Sequence, residues 1–461
     1  MFARLISALR EIFSGSGEAK RAEDRQRFEK LERHAPIKRA ESPAGSTDNH
    51  CEANGFLCRE AVLGRDQRVA GYQFMLHEGT RNRIRTRGRR IHHVYAEVLA
   101  RNIAQADIGR LLGHRTAFLD IPDSFLEHPA ILDLPPANTV LVITTLDEDG
   151  APEASALLAT VQRIRAAGYR IGAAAADLIG ERAFLLPEAD FVTLRAAASD
   201  PAQLKALIER IKSDGGQATL IARDLPSQDD FQLCLTLGAA LFQGPFITSR
   251  EDWRGNRLGP NTARLAELIA RLRRDADTGE LVELLKQDAA LSLRLMRYIN
   301  SAAVGVHQEV ASIERALLQL GRDKLYRWLM LLLYGADKGS ARSAAVLENA
   351  LVRARLMELL GEGRPAAERD ALYLVGLLSL VDVVLQVPIA EAMASLATAP
   401  EIEAAVVRGE GPMADLLQLA IACESGDSDA LQNLAERCGI NPALASRRHL
   451  DAFAWAMEIN A

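Results

Sequence analysis

The stretch Glu280–Tyr334 reads ELVELLKQDAALSLRLMRYINSAAVGVHQEVASIERALLQLGRDKLYRWLMLLLY, and its periodicity decides the C-terminal architecture. Apolar residues recur at helical spacing in four runs. The first holds Leu281, Leu284 and Leu285; the second holds Leu291, Leu293, Leu295 and Met296. The third takes Ala316, Leu317, Leu318 and Leu320, and the fourth takes Leu325, Trp328, Leu329, Leu331, Leu332 and Leu333. Asp277 and Glu280 have capping-box spacing ahead of the first run. Gly305 and Gly321 permit left-handed residues after the second and third. Four helices with such short connections must pack on one another, which predicts a helical bundle. The fourth is apolar nearly all round and is expected in the interior.

Outward from that stretch, 461 residues leave room for two or three domains at about 150 residues each. Hydrophobic content of 48% and charged content of 25% suit an ordinary globular chain. A net charge of −6 gives no global attraction to nucleic acid or an anionic membrane, so no nucleic-acid partner is expected. Cys51, Cys58, Cys234, Cys423 and Cys438 are scattered, odd in number and without metal-ligand spacing, which suits reduced thiols in the cytoplasm. No apolar run approaches the roughly 18 residues of a spanning helix, and the first residues lack the pattern of a signal peptide, so a cytoplasmic protein is expected.

In chain order, residues 1–13 put Phe2, Leu5, Ile6, Leu9, Ile12 and Phe13 on one helical face. That face suits docking on the body, a frayed terminus, or weak membrane-surface or partner contact. Residues 14–54 carry mixed charge and few large apolar groups, the composition of a tether; the N-terminal region is therefore set at 1–55. From Phe56 to about Arg254, short apolar runs alternate with helical patterns. Strands are expected at Leu57–Leu63, Tyr72–Leu76, Thr116–Asp120, Val140–Thr144, Arg170–Ala174, Phe191–Leu194, Thr219–Ala222 and Ala239–Phe242. Helices are expected at Pro152–Ala167, Pro201–Ile211 and Gln228–Leu237. Eight strands with intervening helices predict a small (β/α)8 barrel at 56–254, followed by an all-helical domain at 255–461. The class is thus α/β plus all-α.

The helical half resembles the HDOD domain, a relative of the HD-GYP phosphodiesterases. Gln287–Ser292, Asn300–Ala303, Ser312–Ala316, Leu320-Gly321, Gly376–Leu380 and Gly409–Pro412 carry the likeness in family order. The barrel resembles the EAL domain that hydrolyses cyclic di-GMP, through Gly71–Met75, Ala189–Leu194 and Phe242–Phe246. Together they look like an EAL–HDOD signalling protein.

The resemblance implies carboxylates, an asparagine and a lysine at the carboxyl ends of the strands, holding two metals that activate water. Here Gln73 replaces the first motif glutamate, and Asp120 replaces the asparagine. Val142 and Thr145 stand for the fourth-strand acids, and Ala173-Ala174-Ala175 for the aspartate pair. Thr193 and Arg195 replace the lysine and aspartate, and Arg223 the seventh-strand glutamate; Gln243 keeps its identity. Asp177, just beyond the alanine run, reads as a turn or cap residue. In the helical half the His-Asp pair has become Ser379-Leu380, Asp382 reads as a surface or hydrogen-bonded residue, and His307 is the only histidine between Pro260 and Arg447.

These substitutions imply a degenerate EAL barrel, not an enzyme, with no catalytic residues, metal or cofactor. The expected role is a scaffold or adaptor in cyclic di-GMP signalling, and the alternative is a non-hydrolysing receptor using Gln73, Asp120, Arg223 and Gln243. Family resemblance names diguanylate cyclases, histidine kinases or motility regulators as partners, and a homo-oligomer is also open. A second candidate is the basic run Arg81, Arg83, Arg85, Arg87, Arg89 and Arg90, followed by His92 and His93. It reads as a patch for an anionic partner or as a solvated loop.

Overall fold

The computed structural model describes residues 57–76, 89–105, 112–145, 151–195, 201–213, 218–301, 310, 312–334 and 342–460. Residues 1–13, the run Arg81–Arg87, Gly305, His307 and Cys51 lie outside them, as do the side chains of Arg89 and Arg90. Among the described residues no helix is long and apolar enough to cross a membrane.

Eight strands close a barrel in sequence order: β1 Leu57–Gly64, β2 Val69–Leu76, β3 Thr116–Pro122, β4 Thr139–Thr144, β5 Arg170–Ala174, β6 Phe191–Arg195, β7 Thr219–Arg223 and β8 Leu241–Gln243. Seven run parallel, and β1 is antiparallel to both β2 and β8. A parallel strand inside a helical jacket is buried on both faces and reads as a continuous apolar run, which is why these segments stood out. Alternation then assigns the faces. Val62, Phe118, Val140, Val142, Phe191 and Ile221 fill the barrel interior, with Leu241 against them.

The outer wall at β1 and β2 is covered by helices from far along the chain. A four-residue turn, residues 65–68, joins these strands, so no crossover helix of the barrel lies there. Instead the Pro412–Ser425 helix packs on β1. Phe453, from the Pro442–Asn460 helix, meets Tyr72 edge-on at 5.1 Å and Phe74 at 6.3 Å between ring centroids. The described chain accordingly divides into two compact units that do not follow the sequence boundary at 254/255. One is Asp275–Leu331; the other joins the described residues up to Arg274 to Leu332–Ile459.

Within Asp275–Leu331 the expected helices form at Thr278–Lys286, Ala289–Ile299 and Ile313–Leu320, and the fourth, Arg322–Tyr334, begins there. Asp277 caps the first, accepting from the Glu280 backbone N–H at 3.0 Å, and Gly321 takes a positive φ of 76°. Trp328 is fully buried and stacks on Tyr298, so the fourth helix is interior as expected. Leu293 and Leu318 depart from expectation. They sit beside the buried stripe and are 53% and 69% exposed, because helical spacing turns each away from Leu291 and Leu295 or from Leu317 and Leu320.

In the larger unit, the Arg342–Leu360 and Ala366–Leu378 helices approach closely at Gly376. A Cβ there would come within 2.6 Å of the Ala354 Cα, so glycine sets that spacing. Cys58, Cys234 and Cys423 are buried thiols outside any disulfide, and Cys438 is partly buried. Burial raises the Cys234 thiol from 9.0 to about 11, and raises Cys423 and Cys438 as well. The proton is therefore held to higher pH and little thiolate exists near neutrality. At pH 8, a thiol-directed disulfide reagent is expected to leave Cys58, Cys234 and Cys423 unlabelled over minutes, with full labelling after denaturation. Peptide mass mapping checks this.

Candidate functional site

The barrel places a polar cluster at the carboxyl ends of its parallel strands, the end where sites form in such barrels. Arg223 closes β7 and points inward by alternation with Ile221. Its three nitrogens are all engaged: Nε donates to Gln243 Oε1 at 3.0 Å, Nη1 to Asp120 Oδ1 at 3.0 Å, and Nη2 to Gln73 Oε1. All four candidate residues of the barrel are thus brought together around one guanidinium.

Gln73 and Gln243 are buried, while the Asp120 side chain is 28% exposed and the Arg223 side chain 11%. One member went unread in the sequence. Glu60 on β1 pairs in register with Gln73, and its Oε2 accepts from Gln243 Nε2. The signal was present: Glu60 alternates with Cys58 and Val62, an acid on an otherwise inward apolar face.

The remaining positions of that end carry no donors of the expected kind. Val142 is buried opposite Asp120, Ala173 lies in register with Val192, and the Thr193 hydroxyl donates to the Ala173 carbonyl at 3.4 Å. Asp177 sits in the short Ala175–Leu178 helix after β5. Two arginines near this end are also balanced locally: Arg195, closing β6, faces Asp224 at 3.6 Å, and Arg182, in the turn after the Ala175–Leu178 helix, faces Asp123 at 3.9 Å.

A pair of divalent metals does not fit this donor set. Glu60 and Asp120 are the carboxylates of the cluster, each already accepts a hydrogen bond, and a guanidinium stands between the strands. Among the described residues no three His, Cys, Asp or Glu side chains converge to hold a metal ion.

The helical positions tell a parallel story. Asp382 is buried, not at the surface, and is hydrogen-bonded: Arg250 Nε donates to its Oδ2 at 2.5 Å. Arg250 Nη2 also reaches the Ser379 carbonyl at 2.9 Å. The Ser379 hydroxyl accepts from Arg353 Nη1 at 2.8 Å, and Arg353 grips both oxygens of Glu424 at 3.0 and 2.6 Å. Desolvation pulls the Arg353 pKa down, but the Glu424 charge and hydrogen bonds outweigh it, so the guanidinium is held above its usual value. In both halves an arginine thus occupies the place where the resemblance would put a cation's ligands.

A third cluster, invisible to motif reading, joins the barrel wall to the helices. Tyr72 Oη donates to Glu348 Oε1, and Arg115 Nη1 donates to Glu348 Oε2 at 2.9 Å and to Tyr72 Oη at 2.8 Å. Arg59 lies over the Phe453 ring at 4.1 Å and the Tyr72 ring at 4.8 Å. Burial lowers the pKa of Arg59, and burial with the Arg59 charge lowers Arg115 to about 10.

Residues 260–405 match the family profile of the HDOD domain. The closed eight-stranded barrel precedes that matched region in the chain. It is 22% identical over 409 residues to cyclic di-GMP phosphodiesterase CdgJ of Vibrio cholerae serotype O1 (strain ATCC 39315 / El Tor Inaba N16961), covering 88% of this chain and 93% of that protein. It is 20% identical over 415 residues to the uncharacterized protein YuxH of Bacillus subtilis (strain 168), covering 88% and 98%.

Among solved structures, a Bacillus subtilis protein with an EAL domain, in complex with substrate c-di-GMP and calcium, is 15% identical. That likeness covers 53% of this chain and 74% of the other, with a TM-score of 0.35. An EAL domain protein of Listeria monocytogenes EGD-e is 12% identical over 42% of this chain and 87% of its own, with a TM-score of 0.33. Likeness at these scores does not establish a shared site. The Vibrio cholerae relative does overturn one expectation. A protein named as a phosphodiesterase matches nearly the whole chain, so the inference from missing carboxylates that the chain is not an enzyme does not stand.

Proposed function

We propose that the chain serves cyclic di-GMP signalling in the cytoplasm as an adaptor, presenting its HDOD side to other signalling proteins while its barrel senses an anionic ligand. Diguanylate cyclases, histidine kinases and motility regulators are the partner classes that the resemblance suggests. The observation that best supports this reading is the continuity of the larger unit: the barrel and the Leu332–Ile459 helices belong to one compact body. A partner that prefers one arrangement of such a body shifts its population, and the barrel shifts with it.

A second reading, cyclic di-GMP recognition at the mouth, is favoured by Arg223. A phosphate would take the place of Asp120 on that guanidinium in a charge-assisted pair, and Asp120 is the most exposed member of the four. Capture of partners on the tagged full chain from its native cell, at low and high salt, tests the adaptor reading. Enrichment of a signalling protein over a matched control supports it, and none at either salt overturns it. Calorimetric titration of the full chain with cyclic di-GMP tests the second: binding is expected to weaken at least tenfold in Arg223→Ala, and equal affinity in the variant removes the mouth from consideration. Turnover of cyclic di-GMP belongs in the same experiment, since the Vibrio cholerae relative carries a phosphodiesterase's name.

A further inference from the structure

We infer that the segment Gln243–Arg250 is a mechanical link through which Arg223 at the barrel mouth sets the strength of the contacts around Asp382. The bonds along it are continuous. Gln243 is held by Arg223 through its side chain and accepts the Leu225 N–H on its backbone carbonyl at 3.1 Å. Phe246 N–H then donates to the Leu225 carbonyl at 3.0 Å. Gly244, between them, has φ 145°, and a Cβ there would lie 2.4 Å from the Leu225 N. The β7 and β8 exits are therefore clamped together without room for independent movement.

Beyond the clamp, Ile247, Ser249 and Arg250 are each bonded to the helical part. Ile247 O accepts from Arg342 Nε at 2.9 Å, and Ser249 O accepts from Arg342 Nη2 at 2.7 Å. Arg250 then reaches Asp382 and the Ser379 carbonyl. The Arg342 side chain is 7% exposed, which shields its bonds to Ile247 and Ser249; Asp382 is 2% exposed, while the Arg250 side chain that reaches it from the surface is 55% exposed. A displaced Gln243 must drag Gly244 and Phe246, and the strain next meets Arg342 and Arg250.

Hydrogen exchange on the full chain tests this link. Arg223→Ala is expected to speed amide exchange in residues 379–386 at least tenfold, along with residues 241–250. Arg195→Ala, which removes an arginine from the neighbouring strand end outside the link, is expected to leave 379–386 within about twofold of the parent. Asp382→Asn added to Arg223→Ala should produce less than the product of the two separate effects, since independent sites would multiply. Faster exchange confined to β7 and β8, an equal response to Arg195→Ala, or a multiplicative double variant overturns the link. If Arg223→Ala does not fold, Gln243→Ala carries the same readout with a smaller lesion.

Discussion

A fragment ending at Arg254 is expected to fail as a folded barrel: low soluble yield, strong binding of a hydrophobic dye and no cooperative melt. The reason lies on the outer wall of β1 and β2. Tyr72 and Phe74 are essentially buried there, and their cover comes from Phe453 and Met457. Exposing such side chains costs about 1.5–3 kcal/mol each. The fragment also loses Glu348, the carboxylate that holds Arg115 and Tyr72. Ala61 and Leu63 on the same outward face of β1 add to the exposed area. Against a typical domain stability of about 5–15 kcal/mol, these losses are decisive. A monomeric fragment melting cooperatively within about 5 °C of the full chain would show that the wall does not need its distant helices.

Glu348→Ala in the full chain should give the largest effect of any single substitution considered. Its side chain is 4% exposed and faces two cations: Arg115, 14% exposed, directly, and the buried Arg59 through its charge. Removing one partner of a buried pair typically costs about 3–5 kcal/mol, because the surviving charge is left without compensation. At about 2–4 °C per kcal/mol for a unit of this kind, the melting temperature should fall by roughly 6–20 °C. Glu348→Gln, which still accepts from Tyr72, should lose less. Arg115→Met combined with Glu348→Ala should recover part of the loss, as the orphaned cation is gone. Differential scanning calorimetry on the three variants decides the matter, and a drop under about 2 °C for Glu348→Ala would mean that the seam is already solvated.

The contrast between these two clusters explains what the sequence could disclose. The barrel strands were legible because each is a short apolar run bounded by turn residues; the predicted Arg170–Ala174 coincides with β5, and five others extend the expected run by two residues or fewer. Strand β2 begins three residues earlier at Val69, and β8 shifts to Leu241–Gln243, sharing only Leu241 and Phe242 with the expected strand. Asp120, Arg223, Gln243 and Gln73 were found together because a recurring barrel plan places strand ends at one rim, whatever their separation in the chain. Glu60 was missed because β1 runs against its neighbours, so its register with Gln73 follows only from the antiparallel pairing. The Tyr72, Arg115 and Glu348 cluster had no local signature. Its members lie 233 and 276 residues apart along the chain, and only the fold sets them side by side. The Arg250–Asp382 pair was hidden in the same way, at a separation of 132.

The reversed direction of β1 has a practical corollary for anyone labelling this chain. Leu57 pairs with Leu76, so the polypeptide enters the barrel at the rim that carries Arg223 and Gln243, and not at the opposite base. A fluorophore or affinity handle joined by a short tether just ahead of Leu57 would hover over the polar opening and crowd whatever approaches it. The same attachment becomes an asset as a proximity reporter: quenching of a dye placed there would register arrival at the opening without any change to the residues that line it.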